Sequence, residues 1–234
     1  PSEYNAFQAP TSRPDHDRIY PFGVVKGRMA WSRLIDISKD FNILDIGCGS
    51  GKLMSFLKDK YLVDVEGIEP SAEAVEVGRT VGLDIKHGVL ETVVLSKKYD
   101  LIYLIHVIEH LPDPTGTLKR INELLEPGGR IVICTPNHSN PERKWFGQYW
   151  DGWDTPRHIY VFNPKSLKAL LEATGFKDIT VNYEVYSLFN RSSNNKKKER
   201  KGVIKLHRML EKLISYILAF MRTSGAMQVI ATKG

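Results

Sequence analysis

An apolar run that ends in a carboxylate and passes straight into three glycines at spacing two constrains this chain more than anything else in it. Phe41-Asn42-Ile43-Leu44-Asp45 leads into Ile46-Gly47-Cys48-Gly49-Ser50-Gly51, and an amphipathic segment begins at Lys52. Gly47 lets the backbone turn tightly, Gly49 leaves room for a ligand against bare main chain, and Gly51 lets the next helix pack close to the strand. The glycines therefore sit at a strand-to-helix junction, as a nucleotide-type loop requires. A dinucleotide loop has the spacing G-x-G-x-x-G, which brings a pyrophosphate to the helix N-terminus. Here the pattern is Asp45-x-Gly47-x-Gly49-x-Gly51, and no Lys-Ser/Thr pair follows at triphosphate-loop spacing. A carboxylate at the entrance suits a ligand carrying an amine or a sulfonium better than one carrying phosphate.

A second acid stands where such a ligand needs it. Glu69 ends the run Asp64–Glu69, 18 residues beyond Gly51, about one helix and one return loop later. A carboxylate at the tip of the second parallel strand can accept two hydrogen bonds from a ribose diol. Pro70 cannot continue a strand ladder, and Ser71 before Ala72-Glu73-Ala74 reads as a helix cap.

With Glu69, the stretch Asp45–Gly51 resembles the class I S-adenosylmethionine-dependent methyltransferases. The resemblance continues through Tyr99–Tyr103, through Ile108-Glu109-His110-Leu111-Pro112-Asp113-Pro114 and through Leu125–Ile133, so it covers about residues 20–180 and returns in the last strand. It implies an α/β fold, a doubly wound Rossmann-like sheet of seven mostly parallel strands with the last antiparallel. It also implies S-adenosyl-L-methionine as cofactor, with S-adenosyl-L-homocysteine as product. Gly47, Gly49 and Gly51 would pass under the methionine part, Glu69 would hold the ribose hydroxyls, and Val89 and Leu90 would flank the adenine. Asp45, Cys48, Pro70 and His106 complete the implied cofactor-binding set. Many relatives have Asp where Val89 stands, so the adenine contact passes here to main chain or water.

Composition agrees with one catalytic domain over 1–234, long enough to bury a full core. The two cysteines, Cys48 and Cys134, form no disulfide framework, which predicts reduced thiols and a cytoplasmic setting. No run reaches the length of a membrane span, and Pro1-Ser2-Glu3-Tyr4 lacks signal-peptide character. Residues 1–18 are polar and proline-bearing and read as a flexible arm. Helices are expected at Val24–Ser38, Lys52–Asp59, Ala72–Val81, Thr115–Leu125, Pro164–Thr174 and Val203–Met221. Strands are expected at Phe41–Asp45, Asp64–Glu69, Ile85–His87, Leu101–Ile105, Arg130–Thr135, Ile179–Tyr186 and Ala226–Ala231. Apolar strands alternating with helices of this length are the pattern of a parallel sheet.

Residues 138–162 are too long and too aromatic for a plain connector, with Trp145, Phe146, Tyr149, Trp150, Trp153, Tyr160 and Phe162 among them. The segment leaves the carboxyl end of a strand, where open α/β sheets bind ligands. It reads as a substrate-side insert, or as a small satellite core, or as both. The candidate catalytic residues are His158, His110 and Glu109. A hydroxyl attacks a sulfonium methyl only once its proton is taken, and histidine suits that task near neutral pH. For both histidines a structural role competes, as a salt bridge competes with anion binding for Arg157. His106-x-x-Glu109-His110 matches an inverted zinc-protease spacing, but Pro112 and Pro114 break the helix that such a site needs. The segment is closest to the ubiquinone-biosynthesis O-methyltransferases, whose members often carry Glu where His106 stands and use it with the Glu-His pair toward a divalent metal. With imidazole in that place, no metal is assigned.

The net charge of +6 is local. Residues 191–212 hold nine Lys/Arg against two Glu, a surplus of +7 that leaves the rest of the chain at −1. This argues against a nucleic-acid-tracking surface. The basic loop and following apolar helix, residues 190–222, fit either a helix covering the sheet or a subunit contact, or an interfacial element at an anionic membrane. The function expected is O-methylation of a small molecule: a sugar, a quinone precursor or a lipid-linked intermediate. N-methylation, RNA or protein methylation, and cofactor binding without turnover are the alternatives. Ile105-His106-Val107-Ile108 stands where an Asn-Pro-Pro-Tyr-like tetrad would have favoured amino-group chemistry.

Overall fold

The computed structural model describes residues 35–183 and 225–234 in full, together with the backbone of 24, 25, 28 and 29. Seven strands form the main sheet: β1 (Asn42–Ile46), β2 (Asp64–Glu69), β3 (Asp84–His87), β4 (Tyr99–Ile105), β5 (Leu125–Pro136), β6 (Phe176–Tyr183) and β7 (Ala226–Lys233). Their order across the sheet is β3-β2-β1-β4-β5-β7-β6. β1 to β5 are mutually parallel, and β7 runs antiparallel to both its neighbours. The strand order reverses between β1 and β4, and that crevice, at the carboxyl ends of the strands, is where such sheets bind ligands.

Period-two alternation sends each strand's side chains to two cores. Ile43, Val65, Ile85, Leu101, Tyr103 and Val132 face α1 (Lys52–Tyr61) and α2 (Ala72–Thr80), meeting Met54, Leu57 and Val75. Leu44, Ile46, Ile68, Ile102, Leu104, Ile131 and Ile133 face the opposite layer, where α3 (Pro114–Leu124) and the later helix Pro164–Ala173 contribute Leu118, Ile121, Leu167 and Leu171. The helix starts are capped as their sequences suggest. Ser71 Oγ accepts the Ala74 N–H at 3.3 Å, Asp113 Oδ1 accepts the Gly116 N–H at 2.9 Å, and Asn163 with Ser166 forms a reciprocal capping box. Gly175 (φ 90°) then stops the last of these helices in the left-handed region.

Most of the expected elements appear with ends shifted by one to three residues. Three differ more. The helix expected over Val24–Ser38 is not formed where it is described, because Val24–Val25 pairs antiparallel with Arg28–Met29. β-Branched residues beside Gly23 and Gly27 favour extended backbone over helix. β5 begins at Leu125 rather than Arg130, since Leu125 already faces Tyr99 and the chain slips register before Arg130 faces Leu101. β6 begins at Phe176, three residues before the expected Ile179. The arm at 1–18, residues 184–186 of the expected sixth strand, and the basic loop with the Val203–Met221 helix lie outside the described residues. Among the described residues, no helix is long and apolar enough to cross a membrane.

Candidate active site

The glycine loop is built by backbone that only glycine adopts at low cost. Gly47, Gly49 and Gly51 have φ of 69°, 57° and 80°. A methyl group on Gly47 would stand 2.5 Å from Val107 Cγ2, so the loop after β4 closes tightly on the loop after β1. One on Gly51 would stand 2.2 Å from Leu83 Cδ1, so the third glycine packs the start of α1 against the chain entering β3. Gly67, inside β2, has the same purpose: a methyl there would strike Met54 Sδ and Cys48 Sγ. The Cys48 thiol thus lies close against Gly67, and burial pushes its pKa up.

Glu69 holds the loop. Its Oε2 accepts the Gly49 N–H at 2.9 Å, and its Oε1 accepts the Ser71 N–H at 2.9 Å. Each oxygen has a further lone pair, so the carboxylate can tie the tips of β1 and β2 together and still receive two hydroxyls. Beyond it, the Gly88 N–H donates to the Glu69 carbonyl, Leu90 is buried and Val89 is 43 % exposed. Pro70 lies at the same edge, its carbonyl 3.0 Å from His87 Nε2.

Asp45 is buried, and burial first, then the charge of Glu69, raises its pKa from 3.8 to about 8. The folded chain therefore holds a proton that the unfolded chain releases between these two values. That contribution favours the fold at low pH and is lost as pH rises through about 8. The thermal midpoint of the ligand-free protein should accordingly fall from about pH 4 to about pH 8 and then level, and Asp45→Asn should flatten the fall. A cationic ligand needs the ionised form, so its affinity should climb with pH up to about 8 and then level, as titration calorimetry across pH would show. A pH-independent affinity would exclude Asp45 from the contact. Two buried acids, Asp45 and Glu69, with bare main chain between them fit the sulfonium, amine and ribose of S-adenosylmethionine.

The residues after β4 form the other wall. His106 takes a left-handed φ of 55°, a strained conformation for a residue with a side chain, while its N–H continues the sheet to the Cys134 carbonyl at 2.9 Å. Its Nδ1 lies 3.0 Å from Glu109 Oε1, and Thr135 Oγ1 donates to Glu109 Oε2 at 3.0 Å. Burial raises the Glu109 carboxyl, but the hydrogen bond and charge of His106, backbone hydrogen bonding and His158 outweigh it and hold the pKa below its ordinary value. The Glu109 carbonyl also receives the N–H groups of Ile159 and Tyr160 at 2.8 and 3.1 Å, clamping the end of the insert to this turn.

The insert closes on itself, the His138 N–H donating to the Phe162 carbonyl at 2.8 Å. Within it lie α4 (Glu142–Phe146) and two single 3₁₀ turns. Phe146 and Trp150 form a satellite core with Tyr149 and Trp153 against it, whereas Trp145, Ile159, Tyr160 and Val161 stay exposed. The satellite-core reading therefore holds for Phe146 and Trp150. Arg157 resolves as a salt bridge, its Nη2 lying 2.5 Å from Asp154 Oδ2.

His110 and His158 come together although 48 positions separate them, with ring centroids 4.8 Å apart. His110 Nδ1 is 2.8 Å from the Arg157 carbonyl, and His158 Nδ1 is 2.8 Å from the Gly152 carbonyl. His158 Nε2 lies 3.8 Å from Asp154 Oδ2. Glu109, His110 and His158 also offer ligand atoms within 4.8 Å of one another, a donor set a divalent cation could use. Thr135, Asp154 and Val107 were not singled out by the sequence. Only Asp154 left a signal, standing three and four positions before Arg157 and His158.

Comparison with known proteins identifies the family. A model of the methyltransferase domain family matches residues 18–181, and the chain belongs to that family. S-adenosylmethionine is the cofactor of the class. The ubiquinone biosynthesis O-methyltransferase of Idiomarina loihiensis is 24% identical over 161 residues, 62% of this chain and 65% of that one. O-methyltransferase cnsE of Penicillium expansum is 30% identical over 151 residues, 60% and 53% of the two chains. The chain thus matches less than two thirds of either relative's length. In fold it resembles a Thermotoga maritima S-adenosylmethionine-dependent methyltransferase described as a possible histamine N-methyltransferase. That likeness has a TM-score of 0.61 at 17% identity and covers 88% of this chain and 86% of the other.

Proposed function

We propose that this protein transfers the methyl group of S-adenosylmethionine to a hydroxyl of a small molecule, using the His110–His158 pair to take the hydroxyl proton. The observation that carries the base assignment is the pair of carbonyl contacts at Nδ1, each at 2.8 Å. A carbonyl oxygen only accepts, so each Nδ1 carries hydrogen, and in the neutral ring the basic lone pair belongs to Nε2. Asp154 near His158 Nε2 favours the imidazolium that proton uptake creates. When bound, the cofactor supplies an electrophilic methyl group on a sulfonium.

The chain's own part is binding, orientation and proton removal. Gly47, Gly49 and Gly51 give the methionine part bare main chain, Asp45 answers its positive charge, and Glu69 takes the ribose hydroxyls. Pro70, Val89, Leu90 and the Cys48 backbone frame the nucleoside. His106 orients Glu109, and Glu109 seats the turn that carries His110 and the end of the 138–162 insert. That insert forms the acceptor side. Holding the acceptor in line can itself supply about 7–11 kcal/mol, so the histidines sharpen a rate that positioning has already raised. The named O-methyltransferase relatives support oxygen as the acceptor atom.

No step above requires a metal, and both Glu109 oxygens already accept hydrogen bonds. Chelator-treated protein should therefore keep its turnover; a loss restored by added divalent cation would turn the Glu109, His110 and His158 cluster into a metal centre. The acceptor class is tested by mass-shift assays with methyl-labelled cofactor on metabolite, RNA and protein fractions. Label in an alkali-stable ether on a metabolite is expected, and label confined to RNA or protein would overturn the small-molecule assignment.

A further inference from the structure

The insert carries a further feature besides the histidine pair. Arg143, Gly147, Gln148, Trp153 and Thr155 line a cleft of about 450 Å³. Trp153 forms a fixed wall: its indole N–H donates to the Gly147 carbonyl at 3.0 Å, and its ring packs edge-on against Trp150 at 5.4 Å and His138 at 5.5 Å. With its only donor spent, it offers a ligand nothing but an apolar face. Arg143 spends one N–H, from Nε to the His138 carbonyl at 3.1 Å, and its guanidinium carbon sits 6.0 Å from the Trp153 ring centre. Among the described residues, no carboxylate pairs with Arg143, in contrast to Arg157 on the same insert, which Asp154 neutralises. The four N–H groups at the end of a guanidinium form a planar fork matched to carboxylate or phosphate oxygens. The segment supplying Trp153 and Thr155 also carries His158, tied back to the Gly152 carbonyl, so cleft and base belong to one loop.

We infer that this cleft binds the anionic end of the methyl acceptor, a carboxylate or phosphate held by Arg143, with the adjoining flat or apolar body laid against Trp153. This rests on the reading of the insert as the acceptor side, and it narrows the substrate from any hydroxyl compound to one bearing an oxyanion. A cation stacked on an aromatic face and short of a counter-charge gains most from a ligand that brings both the anion and a flat surface.

Binding is measured separately from turnover, by titrating the full-length protein with benzoate, phenyl phosphate and neutral benzamide while following tryptophan fluorescence. Benzoate or phenyl phosphate should bind at least about tenfold more tightly than benzamide, and Arg143→Gln should abolish that preference. Arg143→Lys, which keeps the charge without the fork, should retain part of it. A preference for phenyl phosphate over benzoate would assign phosphate, and the reverse would assign carboxylate. Equal binding of benzamide and both anions, or an Arg143→Gln protein that discriminates as the wild type does, would overturn the inference. Anion binding without methyl transfer to any acceptor would sink the reading of the site and leave the cleft standing. Methyl transfer to neutral acceptors with KM unaffected by Arg143→Gln would do the opposite.

Discussion

Replacing His158 by asparagine should lower the turnover number about 10²–10⁴-fold while leaving cofactor affinity nearly intact. Asparagine is the informative choice because its amide nitrogen can replace Nδ1 as donor to the Gly152 carbonyl, now 2.8 Å away, while nothing replaces Nε2. A purely structural histidine would therefore tolerate asparagine and suffer with alanine. A base would fail equally with both. His110 contacts His158 ring to ring, so His110→Asn should cost less if His158 is the base and more if the roles are reversed. The double variant should then be little worse than the more damaging single one, since the two rings act on one proton. Losses below about threefold in both single variants would reduce the pair to pins for the insert and leave positioning as the whole mechanism.

Glu69→Ala should weaken S-adenosylmethionine binding by about 2–4 kcal/mol. The structure adds to the simple loss of two ribose hydrogen bonds, because the same carboxylate accepts the N–H groups of Gly49 and Ser71. Alanine leaves both donors without that partner and frees the glycine loop, so ligand-free stability should fall as well. Glu69→Gln puts an amide N–H against one of these two donors and should recover little of the affinity. Calorimetric titration of both variants, with thermal melts of the free proteins, separates the two contributions. A variant that melts early but binds at wild-type strength would make Glu69 a loop anchor and nothing more.

The cofactor half of the site was legible because each of its elements is local. A strand, an acid, three glycines and a helix cap are contiguous in sequence, and Glu69 lies one βα unit away, so spacing alone brings them to one sheet edge. The proposed acceptor half was legible only in composition. Nothing in the spacing of His110 and His158 says that the two rings meet, and main-chain carbonyls, which leave no mark in a sequence, fix their tautomers. Thr135 reaches Glu109 across β4 and β5 through parallel pairing, a contact set by register. The left-handed His106 likewise had no signal, since histidine carries no preference strong enough to announce it. The failed helix at Val24–Ser38 has a different origin. Gly23, Gly27 and the valine pair Val24–Val25 favour extended backbone there, whatever the spacing of the apolar residues.

Parallel titrations of the full-length protein with S-adenosylmethionine and with NAD test the central claim most directly. Both ligands carry adenine and ribose, and they differ in what the glycine loop must accept, a cationic methionine part in one and a pyrophosphate in the other. The carboxylate at Asp45, the spacing of Gly47, Gly49 and Gly51, and the diol-accepting Glu69 predict saturable one-site binding of S-adenosylmethionine and no measurable binding of NAD. Binding of NAD at equal or greater strength would contradict the account.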